Sequence, residues 1–142
     1  MYSYLPNSLY LYLPITEAQN YIAENKDSVA KTVFERIARE GRKYGISLIV
    51  CSQRPSELSK TVLSQCNNYI LHRIRNNIDI EQMRKSIPYI SDSQLIRIAY
   101  LKTGSALLVG EAFSIPMELI IDGSEYGEQS KTIKPSDVWK IG

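Results

Sequence analysis

The chain has 142 residues, of which 44% are hydrophobic, and a formal net charge of +2. This length suffices for one sizeable hydrophobic core and is too short for two ordinary domains. Two cysteines without CxxC spacing and a single histidine argue against a disulfide framework and a zinc site, and they fit a reducing, cytoplasmic setting.

The N-terminal stretch, MYSYLPNSLYLYL, is apolar but carries no basic segment. It contains Pro6, Pro14 follows it directly, and it is shorter than the roughly 20 residues that a membrane span needs. We therefore expect neither a targeting segment nor a membrane partner.

The first half of the chain predicts a strand, a helix and a second strand. Residues 8–15 form a short apolar run typical of a buried strand. Asp27 or Ser28 can cap a helix that runs through Lys43, with apolar residues Val29, Val33, Ile37 and Ala38 at helical spacing and Gly45 at its end. Residues 46–51, ISLIVC, indicate an interior parallel strand with helices on both faces.

The second half predicts shorter elements. We expect a helix at 59–66, a strand at 68–73, helices at 78–85 and 91–99, and a closing hairpin of strands 105–109 and 116–121. Ser91 and Gln94 have capping-box spacing at the start of the second of these helices. The polar, glycine-containing segment 123–142 predicts a loosely ordered extension, which Trp139 could anchor.

Alternating strands and helices predict an α/β fold with a mostly parallel sheet, flanking helices and a C-terminal β-hairpin. In such sheets, functional groups lie at the carboxyl ends of the strands. Three corners occupy that position, namely residues 16–20, residues 52–55 and the end of strand 68–73.

Glu17 and Gln53 are the candidate catalytic residues at the first two corners. A carboxylate directly after a strand can orient the attacking water in phosphate-hydrolysing ATPases or hold Mg²⁺ through its shell. An amide can donate to a phosphate and accept from water, so Gln53 could report on a γ-phosphate. Each residue taken alone is a weak signal, because acids after strands are common and Glu17 could be an exposed loop side chain.

A basic cluster lies between residues 31 and 60, with seven Lys and Arg against three Glu. Arg36, Arg39 and Arg42 recur every third residue and form one stripe on the predicted helix. Arg39 and Arg42, nearest the helix end, suit an arginine finger that stabilises a phosphoryl group across a subunit boundary. The alternative is a solvated stripe paired with Glu35 and Glu40.

The ordered motifs resemble a known family. ITEAQNY, then REGRKYGISLIVCSQRPS, VLSQCN and LKTGSALLVGEAFSIPMELIID are similar to the C-terminal half of the HerA type of ATPase, within the HerA and FtsK group of hexameric DNA pumps. The resemblance covers about residues 9–122, so residues 1–122 are expected to be the C-terminal part of an ATPase domain and 123–142 its extension. No glycine-rich GxxxxGK[ST] loop occurs in the 142 residues, Thr16 stands where an acid usually precedes the catalytic glutamate, and Gln19 replaces the common histidine.

The resemblance implies part of a RecA-like P-loop NTPase core and assigns roles to four residues. Glu17 takes the position of the Walker B acid, Gln53 that of the sensor, and Arg39 or Arg42 that of the arginine reaching a neighbouring subunit's nucleotide. The implied ligands are ATP and Mg²⁺, held only when a Walker A half is supplied elsewhere. The implied partners are HerA-like subunits in a hexamer, double-stranded DNA and a nuclease in DNA end processing or phage defence.

Two functions are compatible with these motifs. The chain contributes Walker B, sensor and trans-arginine elements to an ATP-driven DNA translocase, and we expect it to be inactive alone because the phosphate-cradling loop is absent. Alternatively, it is a non-catalytic fragment that docks on intact ring subunits. Sequence-specific DNA binding is weaker, because no helix-turn-helix or zinc signature accompanies the basic stripe.

Overall fold

The computed structural model describes residues 11–121, and within them the secondary structure follows the predicted order. Short 3₁₀ turns lie at Ala18–Asn20, Gly41–Tyr44 and Pro55–Glu57. The predictions for residues 1–10 and 122–142, including the extension and its Trp139, lie outside the described residues. In chain order, the strands and helices are β1 (Leu11–Ile15), α1 (Val29–Glu40), β2 (Ile46–Val50), α2 (Lys60–Gln65), β3 (Asn68–Leu71), α3 (Asn77–Ser86), α4 (Asp92–Ala99), β4 (Ser105–Gly110) and β5 (Met117–Ile120).

Strands β1 and β2 form a parallel pair, in register from Leu11 opposite Ile46 to Ile15 opposite Val50. The expectation that helices cover β2 on both faces is wrong for the described residues. Its side chains alternate between half-buried and exposed, and Ile49 is 47% exposed. Helix α1 packs on the face that carries Leu48, so the opposite face stays open.

Strand β3 belongs to a second sheet of order β3–β4–β5, whose pairs are both antiparallel. The α/β class with a parallel pair and a closing hairpin is confirmed, but β3 pairs with β4 instead of extending the parallel sheet among the described strands. This pairing aligns Tyr69 and Leu71 with Val109 and Leu107, so four buried side chains share one face. The Tyr69 hydroxyl also donates to the carbonyl of Leu63 at 2.7 Å, and burial raises the pKa of this phenol.

Helix α1 begins as predicted at Ser28, whose Oγ accepts from the Lys31 backbone N–H at 3.1 Å. It ends at Glu40 and tightens into a 3₁₀ turn, which stops at Gly45 with a left-handed φ of 71°. The apolar spacing predicted part of its buried face. Ala38 packs against the core and Ile37 is half-buried, whereas Val29 is 82% exposed. Phe34, which lies outside the predicted set, also packs against the core.

The core lies between the antiparallel sheet and the helices α2, α3 and α4. The predicted capping box is confirmed, with Ser91 Oγ accepting from Gln94 N–H and Gln94 Oε1 accepting from Ser91 N–H. Between residues 11 and 121, no helix combines the length and apolar character that crossing a bilayer requires. The largest fully buried hydrophobic side chains are Ile22, Ile87, Leu95, Ile98, Leu101, Val62 and Val109.

The buried hydroxyl of Ser59 connects helix α1 to helix α2. Ser59 is fully buried, its Oγ accepts from Val62 N–H to cap α2, and it donates to Glu35 Oε1 on α1 at 2.6 Å. This hydrogen bond therefore links α1 to the start of α2.

We predict that Ser59→Ala lowers the free energy of unfolding by about 1–3 kcal/mol, because it removes a cap and leaves a carboxylate oxygen without its donor. Ser64→Ala is the matched control, since this exposed hydroxyl on the same helix contacts only the nearby Thr61 carbonyl. Urea unfolding of both variants measures the difference. Equal stabilities would show that the Ser59–Glu35 contact does not stabilise the fold.

Candidate functional site

The predicted acid and the predicted sensor meet at the carboxyl end of the parallel pair. Glu17 follows β1, Gln53 follows β2, and Gln53 Nε2 donates to Glu17 Oε1 at 3.3 Å. The parallel register brings the two strand ends together, and the Ala18 N–H donates to the Cys51 carbonyl at 3.0 Å. Two residues 36 positions apart in sequence therefore form one polar corner.

A second amide and a hydroxyl complete this corner. Gln19 Nε2 donates to Glu17 Oε2 at 2.7 Å, while Ser52 Oγ donates to Gln19 Oε1 at 2.6 Å. The same Ser52 Oγ accepts from the Arg54 N–H at 3.0 Å. Both oxygens of Glu17 are thus oriented by glutamine side chains.

In the sequence, Gln19 stands out only as a departure from the family pattern, and Ser52 has no predicted role. The one indication that Gln19 belongs to the site is its position two residues after Glu17, in the same turn. Nothing in the sequence showed that Ser52 would be its partner, because this contact spans 33 residues.

Glu17 has a left-handed backbone, with φ 48° and ψ 46°. Among non-glycine residues of the described chain, it alone has a positive φ. This conformation costs an L-residue roughly 1–2 kcal/mol, and strain of this kind concentrates at functional positions. The strained backbone therefore lies at Glu17, the residue that the sequence predicts as the catalytic acid.

The corner offers the kinds of group that bind a phosphoryl oxygen, a water molecule or the shell of a hard cation. Its exposed carboxylate can accept a proton or hydrogen bond from water and offers oxygen to the shell of a hard cation. The amide of Gln53 can donate to a phosphoryl oxygen. Gripping the remaining phosphates requires a loop of the GxxxxGK[ST] type, a motif not found in the sequence.

The candidate arginines lie away from this corner. Arg39 is on α1 and Arg42 is in the turn that leads into the start of β2, whereas Gln53 follows its end. The two ends of β2 are about 13 Å apart at the strand rise per residue. The candidate arginines therefore lie at the opposite end of the parallel pair from Glu17.

The alternative was that the arginines of the basic stripe pair with Glu35 and Glu40 on the same helix. Among the three arginines, Arg36 alone forms such an ion pair. Arg36 Nε lies 3.4 Å from Glu40 Oε2, while Glu35 accepts from Ser59. Arg39 and Arg42 are exposed and line a groove beside β2.

Gly41 explains how the arginine turn lies so close to β2. A Cβ at this buried glycine would be 2.9 Å from the Ile46 carbonyl oxygen and 3.2 Å from Ile37 Cγ2. Only a residue without a side chain allows α1 to approach the start of the strand this closely.

The third predicted corner does not join the site. At the end of β3, His72 Nδ1 lies 3.2 Å from the Ser105 carbonyl oxygen, and Arg73 Nη1 donates to the Leu101 carbonyl at 3.4 Å. Since β3 pairs with β4, its end lies beside the second sheet and not beside Glu17.

Comparison with characterised proteins gives a consistent group of relatives, although no family model matches the chain. The chain is 39% identical over 102 residues to the DNA double-strand break repair helicase HerA of Pyrococcus furiosus, a match covering 72% of this chain and 18% of the relative. It is 33% identical over 108 residues to HerA of Saccharolobus solfataricus, covering 76% and 22%. The chain thus spans about a fifth of the length of these relatives.

Solved structures share the fold. The genome packaging NTPase B204 of Sulfolobus turreted icosahedral virus 2, in complex with ATP-gammaS, matches with a TM-score of 0.63 at 21% identity, covering 78% of this chain and 52% of B204. The same NTPase in complex with AMPPCP matches with a TM-score of 0.62. These similarities support the resemblance drawn from the motifs.

We predict that Glu17→Gly is more stable than Glu17→Ala by about 1 kcal/mol, because glycine adopts the left-handed backbone without a Cβ penalty. Both substitutions remove the same carboxylate and its two hydrogen bonds, so the alanine variant is the matched control. Chemical denaturation measures both. If alanine is as stable as glycine, residue 17 does not hold the strained backbone described above.

Proposed function

Because the chain is homologous to the HerA helicases over part of their length, we propose that it forms part of an ATP-driven double-stranded DNA translocase. In this function it contributes the water-orienting acid, the sensor and a trans-acting arginine to the ring. The observation that carries the proposal is the contact between Glu17 and Gln53 at the carboxyl end of the parallel pair.

Glu17 acts on the attacking water. Its carboxylate is oriented by the short hydrogen bond from Gln19 to Oε2, while the longer contact from Gln53 to Oε1 can be exchanged, so the lone pairs of Oε1 become free in a defined direction. A fixed carboxylate aligns water for in-line attack on the γ-phosphate. Mg²⁺, when bound with the triphosphate, supplies charge neutralisation for the transferring group.

Gln53 senses whether a γ-phosphate is present. Its Nε2 contact with Glu17 is long at 3.3 Å and exposed, so a phosphoryl oxygen can compete for the same donor. Transfer of this hydrogen bond frees one oxygen of Glu17 for water.

Arg42 and Arg39 serve the nucleotide of a neighbouring subunit. They are exposed and lie at the other end of β2 from Glu17, so a second copy is needed to bring an arginine and an acid together. This requirement favours a ring, and the family resemblance implies a hexamer around duplex DNA, with a nuclease as a further partner. The Walker A segment comes from polypeptide beyond the 142 residues.

A second candidate function is a non-catalytic fragment that docks on intact ring subunits. The observation that favours it is the outer side of α1, where Val29 is 82% and Val33 48% exposed. Co-assembly with full-length HerA subunits without any gain in hydrolysis supports docking alone. Increased hydrolysis supports the shared active site.

We predict that ATP hydrolysis appears when a HerA-like polypeptide bearing GxxxxGK[ST] is supplied together with this chain, and that Glu17→Gln reduces turnover at least ~100-fold because the water loses its carboxylate. Phosphate release measures turnover. Glu81→Gln, an exposed acid on α3 that pairs with Arg84 and Lys85, is the control and should retain activity. Equal activity of the two variants contradicts the catalytic role of Glu17.

We predict that Arg42→Ala reduces turnover by ~10³-fold or more in the same assembly, in keeping with a trans-acting arginine. If Arg39 supplies the finger instead, Arg39→Ala shows this loss and Arg42→Ala does not. Arg36→Ala is the control on the same stripe, since Arg36 pairs with Glu40.

Mixing two inactive variants tests whether the arginine acts in trans. In rings that contain both Glu17→Gln and Arg42→Ala chains, some boundaries combine an intact acid with an intact arginine, so activity should partly return. A mixture as inactive as either variant would show that both residues serve the same subunit's nucleotide.

A further inference from the structure

Asp79 is the one charged side chain that is buried among residues 11–121, with 4% of its surface exposed. It lies in the first turn of α3, where an acidic side chain can stay in water and still interact favourably with the positive end of the helix. Burying an ionised carboxylate costs free energy unless hydrogen bonds offset the lost hydration. The burial of Asp79 therefore needs a reason beyond the helix itself.

Capping of α3 does not supply this reason. Asn76 caps the helix, since its Oδ1 accepts from the Ile78 N–H at 3.0 Å. The carboxylate of Asp79 instead reaches out of its helix, and its Oδ1 accepts from the Ser56 backbone N–H at 2.9 Å. Ser56 lies in the 3₁₀ turn Pro55–Glu57. Asp79 thus joins α3 to the segment that follows β2.

The segment held in this way carries the candidate sensor, Gln53. Within residues 11–121, no backbone–backbone hydrogen bond involves Gln53, so its placement depends on the residues on either side. Ser52 is the anchor before it, because its Oγ donates to Gln19 Oε1 at 2.6 Å and accepts from the Arg54 N–H at 3.0 Å. The 3₁₀ turn, which begins at the buried Pro55, is the anchor after it.

Asp79 is the main restraint on this second anchor. The hydrogen bond and the charge of Glu57, and to a lesser extent the charge of Asp79, raise the pKa of Arg54. Both carboxylates therefore lie near this guanidinium. The pair of Arg54 with Glu57 is exposed, so water and salt screen it. The hydrogen bond from Ser56 goes to a buried, ionised acceptor, and bonds of this kind are about twice as strong as neutral ones.

We infer that Asp79 is a positioning residue for the sensor. Its hydrogen bond with Ser56 holds the turn after Gln53, so that the Gln53 amide points toward Glu17 and the γ-phosphate beside it. The contact with a γ-phosphate rests on the proposed function, whereas the placement of Gln53 rests on contacts within this chain.

Loss of this hydrogen bond lowers turnover and leaves nucleotide binding in place. Without Asp79, the Gln53 amide samples several directions, and fewer subunits offer its Nε2 to the γ-phosphate during attack. Removing an interaction that is made only in the transition state lowers kcat and leaves KM unchanged. Displacing a positioned group by about 1 Å can cost up to about 100-fold in rate.

NMR of the intact chain tests the placement without any nucleotide. In Asp79→Ala, the Ser56 amide should exchange with solvent at least about tenfold faster, and the Gln53 side-chain amide signals should shift. Asp79→Asn keeps an acceptor oxygen in the same place and should restore both. Asp92→Ala is the matched control, because Asp92 lies in the first turn of α4 but is exposed and pairs with Arg84. Asp79→Ser, which is too short to reach Ser56, takes the place of alanine if the alanine variant does not fold.

Kinetics in an ATP-hydrolysing assembly test the effect on turnover. Asp79→Ala should lower kcat by about tenfold or more, with KM for ATP unchanged within about threefold, and Asp79→Asn should restore most of the rate. If Asp79 acts through Gln53, a chain carrying both Asp79→Ala and Gln53→Ala is no slower than one with Gln53→Ala alone. Losses that add in the double variant show that Asp79 acts elsewhere, and they overturn the inference.

The NMR comparison separates this inference from the proposed function. Unchanged Ser56 and Gln53 signals in Asp79→Ala overturn the positioning role, even in an assembly that hydrolyses ATP. An Asp79→Asn variant as impaired as Asp79→Ala overturns it as well. If the unaltered chain supports no hydrolysis in any assembly, the proposed function fails, while a shift of the Gln53 signals in Asp79→Ala alone still supports the placement by Asp79.

Discussion

The parallel pairing of β1 with β2 is the constraint on which the rest of the structure depends. Parallel strands must end at the same edge of a sheet, so the polar residues that follow them are brought within hydrogen-bonding distance. Glu17 and Gln53 meet for this reason, and Gln19 and Ser52 complete the corner because they lie in the same two turns. Gly41 allows the turn after α1 to approach the start of β2, and the Glu35–Ser59 hydrogen bond links α1 to the start of α2.

The same pairing also places the candidate arginines and the candidate sensor at opposite ends of β2. Because β2 runs from the arginine turn to the sensor, Arg42 lies at one end of the strand and Gln53 at the other. The candidate acid and the candidate arginines therefore lie at opposite ends of the parallel pair. The strained backbone of Glu17 adds a local cost at the corner, as expected where position matters more than stability.

Local signals in the sequence predicted much of the fold. The side chains of Ser28 and Ser91 can accept hydrogen bonds from the first turn of a helix, so they indicated where helices begin. Gly45 indicated the end of the α1 segment. The apolar runs predicted the order of strands and helices. The apolar spacing on α1 identified its buried face only in part. Ala38 packs against the core as the spacing predicts, but Val29 and Val33 near the start of the helix are exposed. A helical period shows which residues share a face, whereas packing against the rest of the fold decides how much of that face is buried.

The sequence by itself determined the motif order, the family resemblance and the positions of Glu17 and Gln53 after their strands, because these depend on neighbouring residues. The tertiary structure alone decided that Gln19 and Ser52 support the acid, that β3 pairs with β4, and that a groove lies between β2 and β3. Each of these features depends on hydrogen bonds or packing between residues far apart along the chain. Such contacts are chosen by the whole fold, since every strand edge and buried polar group must find its partner at once.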